Sequence, residues 1–230
     1  MTELSTVSNL HSVQQNVTNI ALENHLEASK IQIIAVSKTR SAEEIRNLAS
    51  LGQLAFGENY IQEAMEKISL LQDLGIIWHF IGPIQKNKTK QIAENFDWVH
   101  SVDREIIATR LSAQRPSEKN ALNVCIQVNI DEESTKSGVM AKDLSSLADH
   151  IDMLPNITLR GVMAIPSMSK DFSQQCSTFN KMQQLFNELC QRNRAIDTLS
   201  MGMSNDYPAA IKCGATMIRI GTAIFGPRKY

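Results

Sequence analysis

The chain has 230 residues, 24 acidic and 23 basic side chains, a formal net charge of −1 and an apolar share of 43%. That length allows one domain with a sizeable core, and the near-neutral charge gives no electrostatic reason to expect nucleic acid or an anionic membrane as partner. No apolar run approaches the roughly 20 residues that cross a bilayer.

Residues 1–29 are polar and lack the apolar segment of a signal peptide. Within them Leu4, Val7, Leu10, Val13, Val17, Ile20 and Ala21 recur at helical spacing. This predicts a helix running to Ser29, packed on the rest of a single domain that spans residues 1–230. Its polar face carries almost no Lys or Arg, unlike that of a membrane-surface helix.

Short apolar runs then alternate with amphipathic stretches. The predicted strands are Ile31–Val36, Leu54–Phe56, Ile77–Ile81, Asp97–Val99, Leu122–Ile130, Leu159–Ala164, Thr198–Met201 and Met217–Ile220. Several are apolar nearly throughout, as in parallel strands covered on both faces. Ser41 and Glu44 have capping-box spacing at a helix start. Leu144, Leu147, Ala148 and Ile151 form one helical stripe; Phe172, Phe179, Met182, Leu185, Phe186 and Leu189 form another. Eight strands alternating with helices predict a (β/α)₈ TIM barrel with an additional N-terminal helix, with an open doubly wound sheet as the alternative. No linker divides the chain. Cys125, Cys176, Cys190 and Cys213 show neither CxxC spacing nor a histidine cluster, so buried, reduced thiols are expected and a zinc site is not.

In such barrels the site lies at the C-terminal ends of the strands, with phosphate often held after strands 7 and 8. Lys38 ends the first run. A lysine there is ordinarily a solvated charge, but partial desolvation would favour its neutral, nucleophilic amine. After strand 7 come Gly202, Met203, Ser204, Asn205 and Asp206; after strand 8 come Gly221 and Thr222. Glycines and hydroxyls in loops suit either a turn or a phosphate cradle. Arg219 lies inside the last apolar strand, where a guanidinium needs a partner: a structural ion pair or a pyridine nitrogen. Asn59, after strand 2, is placed to hydrogen-bond a ring substituent. His79 reads as a satisfied core histidine. Lys86, Lys88 and Lys90 read as a solvated helix face, and Lys136 as an exposed lysine at a strand mouth.

Taken together, several segments resemble the pyridoxal-phosphate homeostasis protein family of the YggS/PROSC type, itself similar to the N-terminal barrel of alanine racemase. They are Ala35–Thr39, Phe56–Tyr60, Trp78–Pro83, Asn129–Ile130 with Lys136–Gly138, Arg160–Pro166, Leu199–Ser204 and Arg219–Gly226. The resemblance implies pyridoxal 5′-phosphate (PLP, the active form of vitamin B6) held as a Schiff base on Lys38. It implies phosphate contacts from Met203, Ser204, Gly221 and Thr222. It places Arg219 against the pyridine nitrogen and Asn59 and Met163 near the ring.

The expected function is therefore intracellular PLP homeostasis by a cytoplasmic binding protein that is not an enzyme. It would be a monomer that hands the cofactor to recipient PLP-dependent enzymes. The alternatives are a small PLP-dependent amino-acid racemase, for which Tyr60 and Tyr207, the tyrosines after strands 2 and 7 (Tyr230 being the third tyrosine of the chain), are the conceivable second bases, and a lysine-dependent aldolase-like barrel. No metal, nucleic acid or membrane enters any of these readings.

Overall fold

The computed structural model describes residues 3–133, 135–192 and 195–227, and no side chain before Ser5. The Leu4 side chain of the predicted stripe, Met1, Thr2, Ser134 and Tyr230 lie outside the described residues. Eight parallel strands close into a barrel in chain order. They are β1 (Gln32–Val36), β2 (Ala55–Glu58), β3 (Ile77–Phe80), β4 (Trp98–Val102), β5 (Leu122–Gln127), β6 (Ile157–Met163), β7 (Thr198–Ser200) and β8 (Met217–Ile220). The barrel closes where β8 pairs with β1, with Ile34 opposite Arg219 and Ala35 opposite Ile220.

Helices cover the outside: α1 (Glu3–Glu23), α2 (Ala42–Ala49), α3 (Ile61–Leu70), α4 (Thr89–Asn95), α5 (Glu105–Gln114), α6 (Leu144–Asp152), α7 (Phe172–Arg192), α8 (Tyr207–Lys212) and the single turn α9 (Thr222–Phe225). The capping box opens α2. The α6 stripe is wholly buried. On α7, Phe179, Met182 and Leu189 are buried, whereas Phe172 is 46% exposed at the first turn, with the Lys212 ammonium over its ring. The first helix stops earlier than its periodicity predicts. After Glu23 the chain turns through His25 at φ 56°, and the Leu26 N–H bonds back to the Ala21 carbonyl. Leu10, Val13, Val17 and Ala21 of α1 are buried. Asn9 donates to the Ile224 carbonyl at 3.0 Å and Asn16 to Tyr207 Oη at 3.4 Å, so α1 leans on α8 and α9.

Side chains alternate along each strand. One set joins the large core between strands and helices, including the fully buried Phe56, Phe96, Phe179 and Phe225. Each such side chain contributes about 2–3 kcal/mol relative to exposure. The other set faces the barrel interior, where Ile34, Ala55, Trp98, Cys125, Met163 and Met217 form a separate small core. Beside it the Arg160 guanidinium lies over the Trp98 ring and bonds Asp197 and Asn123.

A bulge in β6 decides which residue reaches the interior. Val124 pairs with Leu159 but Cys125 with Gly161, so one extra residue sits in β6. Leu159 faces the helices; without the extra residue Met163 would do the same. With it, Val162 faces out and Met163 in. Gly161 adopts φ +154°, and a Cβ there would lie 1.8 Å from the Thr198 carbonyl oxygen on β7. Gly161→Ala should therefore force β6 from β7 and destabilise the protein by about 3 kcal/mol or more. Urea unfolding measures this, and an unchanged midpoint would contradict the account.

Candidate functional site

The inward parity of β1 runs through Ile34 and Val36 to Lys38; that of β2 runs through Ala55 and Gly57 to Asn59; that of β8 runs through Met217 to Arg219. All three reach the C-terminal mouth on adjacent strands. Gly221 packs on β1, its Cβ position 3.5 Å from Val36 Cβ. The segments after β7 and β8 are tied together, because the Ala223 N–H donates to Ser204 Oγ at 3.2 Å. Arg40, two residues past Lys38, donates to the Gly226 carbonyl at 2.5 Å and lies over the Phe225 ring. Lys38, Asn59, Met163, Met203, Ser204, Arg219, Gly221 and Thr222 thus belong to one end of the barrel. Thr222 is exposed; Lys38, Asn59, Met203, Ser204 and Gly221 are half-buried. The Met203 N–H is already used inside its own loop, donating to Asp206 Oδ1 at 2.6 Å.

Arg219 is the strongest electrostatic feature. It is 3% exposed. Its Nη1 donates to Ser200 Oγ at 2.7 Å and its Nη2 to the Ala164 carbonyl at 2.8 Å. Among the described residues no carboxylate lies within ion-pair distance of it. Burial pulls its pKa down to about 10, which still leaves it charged at neutral pH. Asn59 Oδ1 is also buried without a hydrogen-bond partner. Gly82 holds the Asn59 backbone, since a Cβ on it would sit 2.2 Å from the Asn59 carbonyl oxygen.

Behind β1 and β2, on the helix side, lies a second charged group. Lys67 of α3 bonds Glu58 Oε1 at 2.7 Å, the Ser37 carbonyl at 2.7 Å and Glu63 Oε1 at 2.5 Å. Ser37 Oγ donates to Glu58 Oε1 at 2.6 Å, and the Thr39 N–H donates to Glu63. Both neighbours of Lys38 are therefore tethered to one ion cluster. Thr39 has φ 64°, a left-handed conformation that a β-branched residue resists. Glu58 is fully buried; burial pushes its pKa up, against the pull of Lys67 and Ser37.

Other expectations need correction. His79 is buried but only half satisfied: Nδ1 meets His100, while Nε2 has no partner. Lys136 is not a simply exposed lysine, because it bonds Asp131 at 2.6 Å, Glu133 at 3.3 Å and Ser167. Cys125 and Cys213 are buried, but Cys176 and Cys190 are half-exposed. Tyr207 is buried in the outer core with Asn16 on its hydroxyl, and Tyr60 is 53% exposed at the head of α3. Lys86 and Lys90 are exposed, whereas Lys88 is half-buried. Sequence reasoning missed Glu58, Lys67 and His100. Period-2 parity carried from Trp98 would have placed His100 inside the barrel, but nothing local distinguishes the Glu58–Lys67 pair.

The sequence profile of the family described as "Alanine racemase, N-terminal domain" matches residues 8–229. The pyridoxal phosphate homeostasis protein of Haemophilus influenzae is 49% identical over 226 residues, 96% of this chain and 95% of that protein. The protein of the same name from Escherichia coli K12 is 47% identical over 225 residues, 96% of each chain. The solved structure of PipY from Synechococcus elongatus, described as having PLP bound, is 33% identical with TM-score 0.82 and covers 96% of this chain and 100% of that one.

Breaking the cluster behind Lys38 should be costly. Lys67→Met leaves the Glu58 charge buried without its partner, for a loss of about 3–5 kcal/mol near neutral pH. An acid whose folded-state pKa is raised costs stability that grows as pH rises from its unfolded-state pKa to its folded-state pKa and stays constant above it. The deficit should therefore shrink as pH falls from the raised Glu58 value into the ordinary carboxylate range. Urea melts across that range would show it; a deficit that stays constant would argue against a stranded carboxylate.

Proposed function

The chain belongs to the pyridoxal phosphate homeostasis protein family, and from that premise we propose that Lys38 holds PLP at the barrel mouth for delivery to other proteins. The observation that carries this is a buried guanidinium, on the strand paired with the one that ends at Lys38, whose hydrogen bonds go only to neutral acceptors. Among the described residues the Asp206 carboxylate acts on this cation only from beyond ion-pair distance; a buried cation without a direct ion pair is costly, and an electron-rich ligand at the mouth would offset part of that cost. Asn59 Oδ1, buried and unbonded, can accept a hydrogen bond from a ring hydroxyl. The donor set therefore fits the cofactor.

When bound, PLP supplies an aldehyde that a primary amine holds covalently and reversibly, and Lys38 is that amine in this proposal. The chain's own groups then have distinct tasks. The Glu58–Lys67–Glu63 cluster fixes the backbone on both sides of Lys38. Arg219, which can donate a hydrogen bond but not accept one, would face the ring nitrogen and leave it unprotonated. The segments at Met203–Ser204 and Gly221–Thr222, tied together by the Ala223 N–H to Ser204 Oγ bond, would hold the phosphate.

This division of labour suits a carrier. An unprotonated ring nitrogen would make a weaker electron sink, which suits a carrier or a racemase that limits side reactions, and the family's homeostasis role favours the carrier. Neither Tyr60 nor Tyr207 offers a base over the mouth, since one is exposed at a helix head and the other is used by α1. Among the described residues no helix is long and apolar enough to cross a membrane. We read the protein as a cytoplasmic monomer that passes PLP to recipient enzymes by exchange of one amine for another.

Purified protein should be yellow. Borohydride should fix a phosphopyridoxyl group on Lys38, mapped by mass spectrometry, and Lys38→Ala should be colourless. A protein that stays colourless and unmodified after incubation with PLP would overturn the proposal. Loaded protein incubated with amino acids in deuterated water should incorporate no deuterium at the α-carbon; Lys38-dependent incorporation would establish an enzyme instead.

A further inference from the structure

The interior of the barrel holds a polar chain that the binding role leaves unexplained. Beyond Arg219, Ser200 Oγ lies 2.9 Å from His100 Nδ1, and His100 Nε2 lies 2.9 Å from His79 Nδ1. Four strands contribute: β8, β7, β4 and β3 in turn. Ser200, His100 and His79 are each 0% exposed. The chain ends at His79 Nε2, buried and unbonded, with Trp98 stacked on the ring at 5.6 Å.

Both rings are neutral. Burial lowers the His79 pKa to about 3, and burial, with the charge of Arg219 among the lesser causes, takes His100 well below its ordinary value. A neutral imidazole has one donor and one acceptor nitrogen, so the chain has two possible polarities. If hydrogens point away from Arg219, Ser200 donates to His100 Nδ1 and His100 Nε2–H donates to His79 Nδ1. Every dipole then turns its negative end toward the guanidinium. If hydrogens point toward Arg219, the His100 Nδ1–H dipole opposes the cation, and Ser200 Oγ, accepting twice, has no described acceptor for its own hydrogen. Charge–dipole attraction in a dry interior selects the first arrangement.

We propose that His79, His100 and Ser200 are positioning residues: a hydrogen-bonded chain, with both histidines protonated on Nε2, that holds the Arg219 guanidinium in place and oriented toward the barrel mouth. This rests on the reading of Arg219 as the partner of the cofactor ring. The chain takes the place of a carboxylate. It orients the cation through neutral dipoles and leaves its charge available to a ligand.

Two measurements test it. Two-bond ¹H–¹⁵N correlation spectra of full-length, cofactor-free protein should show both rings as the Nε2–H tautomer, unchanged between about pH 5.5 and 8.5. An Nδ1–H tautomer, or a ring that titrates in that range, would refute the chain whatever the cofactor does. Second, PLP binding is measured in a double-mutant cycle, with retention of fold checked by urea unfolding. Ser200→Ala and His100→Phe should each raise the apparent Kd about tenfold, the scale of one hydrogen bond to a charged group. In an Arg219→Met background they should add nothing, whereas merely structural roles would give additive losses and sink the proposal. An unchanged Kd in Arg219→Met alone would remove the ring-partner reading and the purpose of the chain together, even with the expected tautomers. Should the substituted chains fail to fold, the wild-type spectra decide the matter.

Discussion

Along each strand of a closed barrel, side chains point alternately to the helices and to the interior, and both directions are dry. A polar group on either face must therefore find its partner within the protein or in a ligand. This constraint arranges the mouth of the molecule. On β1 and β2 the outward positions Ser37 and Glu58 meet Lys67 from α3, and the charges are settled there. On β8 the inward position Arg219 meets a hydroxyl and a carbonyl, and its charge is not settled. Lys38 stands at the end of β1, where the inward and outward arrangements come within two residues of each other.

The two faces do different work. The outer cluster is fully paired apart from Glu58 Oε2, and it fixes backbone: the Ser37 carbonyl, the Ser37 hydroxyl and the Thr39 N–H. The left-handed Thr39 is strained, and such strain persists only where surrounding bonds over-determine it. The inner face leaves more polar capacity unused. Its cation has neutral acceptors, and near it Asn59 keeps a buried oxygen unbonded. Between the two faces, Lys38 has the backbone of both its neighbours fixed by the outer cluster.

Much of this was legible in the sequence, for a physical reason. Parallel strands buried on both faces leave near-continuous apolar runs, so all eight strands fall within a few residues of their predicted places. The barrel rule then turned residues just past each run into site candidates, which is why Lys38, Asn59 and Gly221 emerged together. Three things were hidden. The end of α1 depends on a left-handed turn at His25, which carries no glycine to mark it. The inward turn of Met163 depends on a bulge, and a bulge shows only when two strands are paired. The contact between His100 and Ser200 joins β4 to β7, with the two residues separated by 100 positions. Local patterns assign such residues to a face but do not say which of them touch.

The choice of partners for Arg219 has a consequence for a carrier. A carboxylate beside it would satisfy the guanidinium in the empty protein and compete with the incoming ring and phosphate. Neutral dipoles orient the cation at much lower electrostatic satisfaction, so part of the cost of burying it persists until a ligand arrives. That residual cost makes the empty barrel less stable and the loaded barrel relatively more so, which is the linkage between binding and stability. On the proposed reading it would also keep the site releasable, because the ligand would be held by a directional bond from a fixed donor and by a reversible link to one amine, not by a closed set of ion pairs. The barrel interior therefore holds one buried cation by neutral hydrogen-bond acceptors, with Asp206 acting on it from beyond ion-pair distance; under that reading, the strength of cofactor capture depends on how firmly that cation is aimed.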